Sequence, residues 1–210
     1  MTFMKKKTFS SFTYAQAFKY LNLKELKPWH FSAEPVEPSA FFVEHLQRIT
    51  AAFDLKSCED SKKLLIDAIC TEALQEFKHL KIWKGAPLSD EQIRGYVDYL
   101  VAERKAYLEA PFMCIVEAKK DDFEQGLAQC LVEMKACQYN NQQLQQPLDI
   151  FGIVTNGDTW QFYYFPLNGQ VYGTETYSKG TTPELLGRLR HVLQICEENL
   201  LSLYTNSSNP

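Results

Sequence analysis

The 210-residue chain has no C-x-x-C pair, no H-x-x-x-H spacing, no long apolar run and no excess of positive charge, and each absence removes a class of protein. Its cysteines (Cys58, Cys70, Cys114, Cys130, Cys137 and Cys196) are scattered, and several fall in apolar runs where a thiol acts as a small hydrophobe. A disulfide scaffold or zinc ribbon is therefore not expected. His30, His45, His79 and His191 lie far apart, so a histidine-built zinc site would have to be assembled from distant segments. No window approaches the roughly eighteen uninterrupted apolar residues of a membrane-spanning helix. The basic start, MTFMKKKTFSSFTYAQAF, is not followed by the apolar stretch of a secretory signal, so the cytoplasm is the expected compartment.

The net charge of −4 removes the simplest signature of a nucleic-acid binder, a strongly basic domain. Phosphate contact would have to come from local clusters: Lys5 to Lys7, Lys62 and Lys63, Lys81 and Lys84, Arg104 and Lys105, or Lys119 and Lys120. Such clusters are more often solvated surface. Hydrophobic content of 45% and charged content of 23% are those of an ordinary globular protein, long enough for one domain with an appendage.

Residues 1–55 read as a helical appendage, with helices at Tyr14 to Leu26 and, capped by Ser39, at Ser39 to Phe53. Residues 56–205 read as the main domain and 206–210 as a disordered tail. A third helix is expected from Asp60 or Ser61 to Phe77, with Leu64, Leu65, Ala68 and Ile69 on its apolar face. Glu72 falls in the middle of that face, where a carboxylate needs a partner or a metal. After a turn at Gly85 to Asp90, Arg94 to Ala102 (RGYVDYLVA) reads as a strand buried on both faces, with Asp98 as its only full charge after Arg94.

Phe112 to Lys119 (FMCIVEAK) is a second such strand. Alternation puts Met113, Ile115, Glu117 and Lys119 on one face, with Glu117 and Lys119 about 7 Å apart. A helix is expected from Asp121 or Asp122 to Tyr139, with Phe123, Leu127, Leu131 and Met134 as one stripe and Gln125, Gln129 and Glu133 as another. The Gln/Asn-rich segment 140–146 reads as a loop. Asp149 to Phe165 forms two strands around Asn156-Gly157, a strong hairpin signal. A third strand follows near Gln170 to Tyr177, and a closing helix runs from Thr182 or Pro183 to Leu203.

Two carboxylates at the ends of neighbouring buried strands, with a lysine two residues beyond one of them, make a plausible cage for a hard cation such as Mg²⁺ or Mn²⁺. The same pattern also arises as an ion pair holding strands together. The stretch RGYVDYLVAERKAYLEAPFMCIVEAKKDDFEQGLAQCLVEMKACQ resembles the core of the PD-(D/E)XK nuclease superfamily. In that likeness Asp98 matches the first acid, Glu117 and Lys119 the (D/E)-x-K pair, and Gln125 and Gln129 the glutamines of the following helix. Glu72 takes the place of the acid on the first core helix, with Glu59 and Glu76 as rivals. The hairpin at Val154 to Tyr163 is similar to that in the nuclease domains of type I restriction subunits. Val97 stands where the superfamily has its name-giving proline, and neither a helicase motor nor a DNA-reading domain is recognisable.

The resemblance implies an α/β fold, with a restriction-endonuclease-like αβββαβ core, a mixed central sheet and flanking helices. It implies a nuclease that hydrolyses DNA through metal-activated water, in restriction or repair. Asp98, Glu117 and Glu72 would hold Mg²⁺ or Mn²⁺, and Lys119 and Gln129 would complete the site. The implied partner is nucleic acid, DNA before RNA, with a homodimer or a larger restriction or repair complex as the setting. A catalytically silent nucleic-acid-binding or assembly subunit is the alternative, and retention of Asp98, Glu117 and Lys119 favours activity.

Overall fold

The computed structural model describes residues 6–55, 57–119 and 122–207. The strands are β1 (Lys7–Thr8), β2 (Lys27–Pro28), β3 (Leu80–Ser89), β4 (Ile93–Glu103), β5 (Phe112–Ala118), β6 (Ile150–Thr155), β7 (Thr159–Phe165), β8 (Tyr172–Gly173) and β9 (Tyr177–Ser178). The helices are α1 (Tyr14–Tyr20), α2 (Ala40–Ala52), α3 (Glu59–Leu74), α4 (Phe123–Gln143) and α5 (Thr182–Ser207). All the strands join one mixed sheet. β3, β4 and β5 run antiparallel in succession, β5 and β6 are parallel, and β6 and β7 form the Asn-Gly hairpin. A parallel pair requires a crossover, and α4 supplies it.

Apolar residues are buried on both faces of the sheet. One core holds Tyr99, Val101, Val116, Phe151 and Trp160 against α3 and α5, with Phe42 and Ile49 of α2. The other holds Leu100, Ile115, Val154 and Phe165 against α4, with Ala17 of α1. β5 lies between β4 and β6 with helices over both faces, so every one of its residues is buried. The chain is an α/β protein with a mixed sheet flanked by helices.

The first 55 residues contribute strands as well as helices: β1 pairs with β4 and β2 with β8. α1 stops at Tyr20, short of the expected Leu26, with Asn22 turning at φ 56°. Ser39 caps α2 as expected, its hydroxyl accepting from the Phe42 N–H. The third helix ends at Leu74, not Phe77.

Several expectations fail for physical reasons. Gly85 to Asp90 is not a turn: β3 runs on to Ser89, paired to β4 on both sides of Gly85, where φ is 61° and the buried side of the strand passes from the α3/α5 core to the α4 core. The reversal lies one step later, where Asp90 Oδ1 accepts from the N–H groups of Gln92 and Ile93. Met113 does not share the face of Ile115. Val101 pairs with Cys114 and Ala102 with Phe112, so Met113 is the extra residue of a β-bulge and turns into the α3/α5 core.

The Gln/Asn-rich segment is helical to Gln143, because the buried Asn141 side chain replaces a ladder partner for Phe112. Its Oδ1 accepts from the Phe112 N–H and its Nδ2 donates to the Phe112 carbonyl, both at 2.7 Å. The expected strand near 170–177 is two short pieces, β8 and β9. α5 passes Leu203 to Ser207, so the first two residues of the expected tail are helical. Ser208 to Pro210, Lys5, Lys120 and Asp121 lie outside the described residues, and Asp122 is the N-cap of α4.

Candidate functional site

β4 and β5 pair only as far as Tyr99 and Val116, and beyond that point the two strands part. The Asp98 side chain fills the gap. Its Oδ2 accepts a hydrogen bond from the Ala118 N–H at 2.9 Å, and its Oδ1 lies 2.9 Å from Lys63 Nζ on the first turns of α3. Lys63 also meets Glu59 Oε1 at 3.2 Å. Burial disfavours the Lys63 ammonium, but Asp98 and Glu59 outweigh that and hold it above its ordinary pKa.

Glu117 is 0% exposed on the α4 face of β5. Lys119 Nζ stands 2.6 Å from its Oε1, and apart from that ion pair neither Glu117 oxygen meets a hydrogen-bond donor among the described residues. Burial, reinforced by the negative charge of Asp98, pushes the Glu117 carboxyl up to about 7 against the pull of Lys119. Burial opposes the charge of Lys119, and Glu117 restores it, so the ammonium is held above its usual range.

α4 closes the cluster from above. Lys119 Nζ donates to Gln129 Oε1 at 3.3 Å, and Gln129 Nε2 donates to Glu133 Oε1 at 3.0 Å. Glu133 is fully buried, its Oε2 meets no donor among the described residues, and burial together with the nearby Glu117 raises it well above the carboxylate range. The i, i+4 spacing of Gln129 and Glu133 on α4 fixes this relay.

Two backbone features hold Lys119 in place. Its N–H donates to the Thr155 carbonyl at 2.8 Å, which ties the end of β5 to the β6–β7 turn. On α4, Gly126 leaves room for its stem, since a Cβ there would lie 2.9 Å from Lys119 Cγ and 2.8 Å from Val154 Cγ1.

The structure thus brings Asp98, Glu117, Lys119 and Gln129 together and leaves Glu72 elsewhere. Glu72 lies nine residues beyond Lys63 on α3, about 14 Å along the helix axis. Its carboxylate accepts from the Ser39 N–H at 2.7 Å and the Ser39 hydroxyl at 3.0 Å, which anchors the start of α2. Glu76 pairs with Arg190 of α5 at 2.8 Å. Of the three candidate acids Glu59, Glu72 and Glu76, Glu59 is the one whose charge reaches Glu117 and Lys119. Gln125 points away, donating to the carbonyls of Ser10 and Phe12.

Sequence reasoning placed Lys63 only in a basic cluster for phosphate, missed its pairing with Asp98, and undervalued Glu133. The i, i+4 spacing of Glu59 and Lys63 was the available signal for the first, and the Gln129/Glu133 stripe for the second. Among the basic clusters, Arg104 is spent on the Phe77 and Lys78 carbonyls and Lys105 on Glu103 and Glu109.

The donor set bears on a cation directly. Among the described residues, no three His, Cys, Asp or Glu side chains gather into a ready-made cage. Mg²⁺ does not need one, since one or two carboxylates with retained waters and a substrate phosphate are its usual shell. Asp98 and Glu117 are the carboxylates such a shell would draw on, Glu117 with donor-poor oxygens among the described residues and Asp98 with both oxygens already met by Lys63 and Ala118.

No protein-family model matches the chain. A 50-residue stretch is 46% identical to part of Crinkler effector protein 5 of Phytophthora infestans. The match takes in 24% of this chain and 13% of that protein, so the chain spans a small part of that relative's length.

Proposed function

We propose that the chain is a metal-dependent nuclease of restriction-endonuclease-like fold that hydrolyses phosphodiester bonds of DNA. One observation carries the reading: Glu117 is wholly buried, among the described residues its oxygens meet no partner but the Lys119 ion pair, and Asp98 stands on the neighbouring strand. A buried carboxylate without donors is costly unless it is neutralised or bound to a cation. The order α3-β3-β4-β5-α4-β6 is that of an αβββαβ core and supports the same reading.

In this reading Asp98 and Glu117 hold Mg²⁺ or Mn²⁺. The bound cation supplies a water of lowered pKa and polarises the phosphate. Lys119, tethered between Glu117 and Gln129, meets the charge that grows on the phosphate as the bond breaks. Gln129 and Glu133 keep the lysine from swinging away.

A second reading is a catalytically silent nucleic-acid-binding or assembly subunit. It is favoured by the state of Asp98, both of whose oxygens already have protein partners in Lys63 and Ala118. The two separate when the protein is incubated with linear, circular and single-stranded DNA and with RNA, in Mg²⁺, Mn²⁺ or EDTA. Cleavage that EDTA abolishes is the outcome expected of the nuclease. Binding without cleavage in every condition is that of the silent subunit.

A further inference from the structure

On the α4 face of the sheet, Glu117, Val154 and Gln161 sit side by side on β5, β6 and β7. Strands lie about 4.8 Å apart, so Gln161 is about 10 Å from Glu117. Here a groove of about 540 Å³ opens between α1, the first turns of α4 and β7, a size suited to a small organic group. Its walls include the rings of Tyr14 and Phe123, the edge of the largely buried Tyr163, the amide of Gln161, and two exposed charges of opposite sign, Lys27 and Glu124. Phe123 precedes Gly126 by three residues on α4, and Gly126 is the position packed on Lys119, so the groove adjoins the cluster by a second route.

The lining has the chemistry of a base-binding site. Aromatic faces stack on any nucleobase, and Tyr14 is 36% exposed, with its ring 4.3 Å from that of Phe18. The Gln161 amide is held in a fixed orientation, since its Oε1 accepts from the Tyr163 hydroxyl at 2.9 Å and its Nε2 donates to Thr176 Oγ1 at 3.0 Å. An amide has two donors and two acceptor lone pairs, so one of each is left for a base edge. Lys27 adds a cation for a phosphate of the same strand.

We infer that this groove receives an unpaired nucleobase of the strand whose phosphate lies at Asp98, Glu117 and Lys119. The chain's preferred ligand is then a single strand or a frayed end rather than an intact duplex. The inference rests on the nuclease reading for its substrate, but its measurement does not depend on cleavage.

The test is fluorescence anisotropy with a labelled single-stranded DNA oligonucleotide and the corresponding blunt duplex, in EDTA. Wild type binds the single strand more tightly than the duplex. Tyr14→Ala weakens single-strand binding about tenfold, while Tyr14→Phe, which keeps the ring, restores it. Lys27→Ala weakens binding and flattens its salt dependence. Melting temperatures check that each variant is folded, and Gln161→Leu gives the same loss from a second wall. Unchanged single-strand affinity in folded Tyr14→Ala and Gln161→Leu, or a preference for duplex, overturns the inference. Parallel Mg²⁺ assays with wild type and Asp98→Ala keep the two ideas apart. Asp98-dependent cleavage with Tyr14-independent binding removes the groove alone, and Tyr14-dependent binding without cleavage removes the nuclease alone.

Discussion

Lys63 Nζ lies 2.9 Å from Asp98 Oδ1, so a lysine of α3 already neutralises the carboxylate that a cation at this site would use. Cation and lysine compete for one oxygen. Lys63→Met is therefore expected to tighten divalent binding by about threefold or more, the scale of a partly exposed ion pair. The readout is the rise in melting temperature on titrating Mg²⁺ or Mn²⁺, which binding linkage makes larger in Lys63→Met than in wild type. Asp98→Ala is expected to show no rise. An equal response in wild type and Lys63→Met would mean that Asp98 Oδ1 is not a ligand.

Glu72→Ala separates stability from function. Loss of the two hydrogen bonds from Ser39 is expected to cost about 1–2 kcal/mol in urea denaturation, because the start of α2 loses its anchor. DNA cleavage per folded molecule is expected to be unchanged. A folded Glu72→Ala protein that binds Mg²⁺ more weakly would return Glu72 to the site.

Glu133 gives a pH dependence whose sign is fixed by its burial. Its folded pKa is raised, so the neutral acid is accommodated without penalty below the unfolded value near 4.3. Native stability then falls as pH climbs from there toward the raised folded value, since the folded state holds its proton longer. Glu133→Gln mimics the neutral form and lacks this loss. The variant is expected to be close to wild type in stability at pH about 5 and the more stable of the two at pH about 9, measured by chemical denaturation. A constant difference across that range contradicts the assignment.

Asn141→Ala leaves a buried N–H and C=O of Phe112 without partners, on a strand that is otherwise sealed. The expected loss is about 2–4 kcal/mol, read as a lower midpoint in urea at unchanged slope. Asn141→Asp keeps the shape and the acceptor but cannot donate to the Phe112 carbonyl, and is expected to remain destabilised.

How much of this was legible depended on whether a residue's partner was local. Asp98, Glu117 and Lys119 stood out because a charge inside an apolar strand pattern needs an explanation, and strand alternation set their spacing. Gln129 and Glu133 were visible as a stripe, but burial of that stripe depends on how α4 lies over β5 and β6, which periodicity does not encode. Glu72 was read as a site acid because its apolar surroundings were evident, whereas its partner Ser39 is thirty-three residues away. Gly85 and Pro87 carried turn chemistry that the long β3–β4 ladder overrode. Asn141 looked like loop composition because its role is a single long-range clamp on Phe112.

The most direct measurement is the rate of cleavage of labelled DNA in Mg²⁺ by wild type, Asp98→Ala and Lys119→Ala, each shown to be folded by its melting curve. Wild type is expected to cleave only with divalent cation, and both variants to be slower by about a hundredfold or more, the scale of losing a group that stabilises developing charge. Cleavage that survives in both variants, or that persists in EDTA, contradicts a site built on Asp98, Glu117 and Lys119.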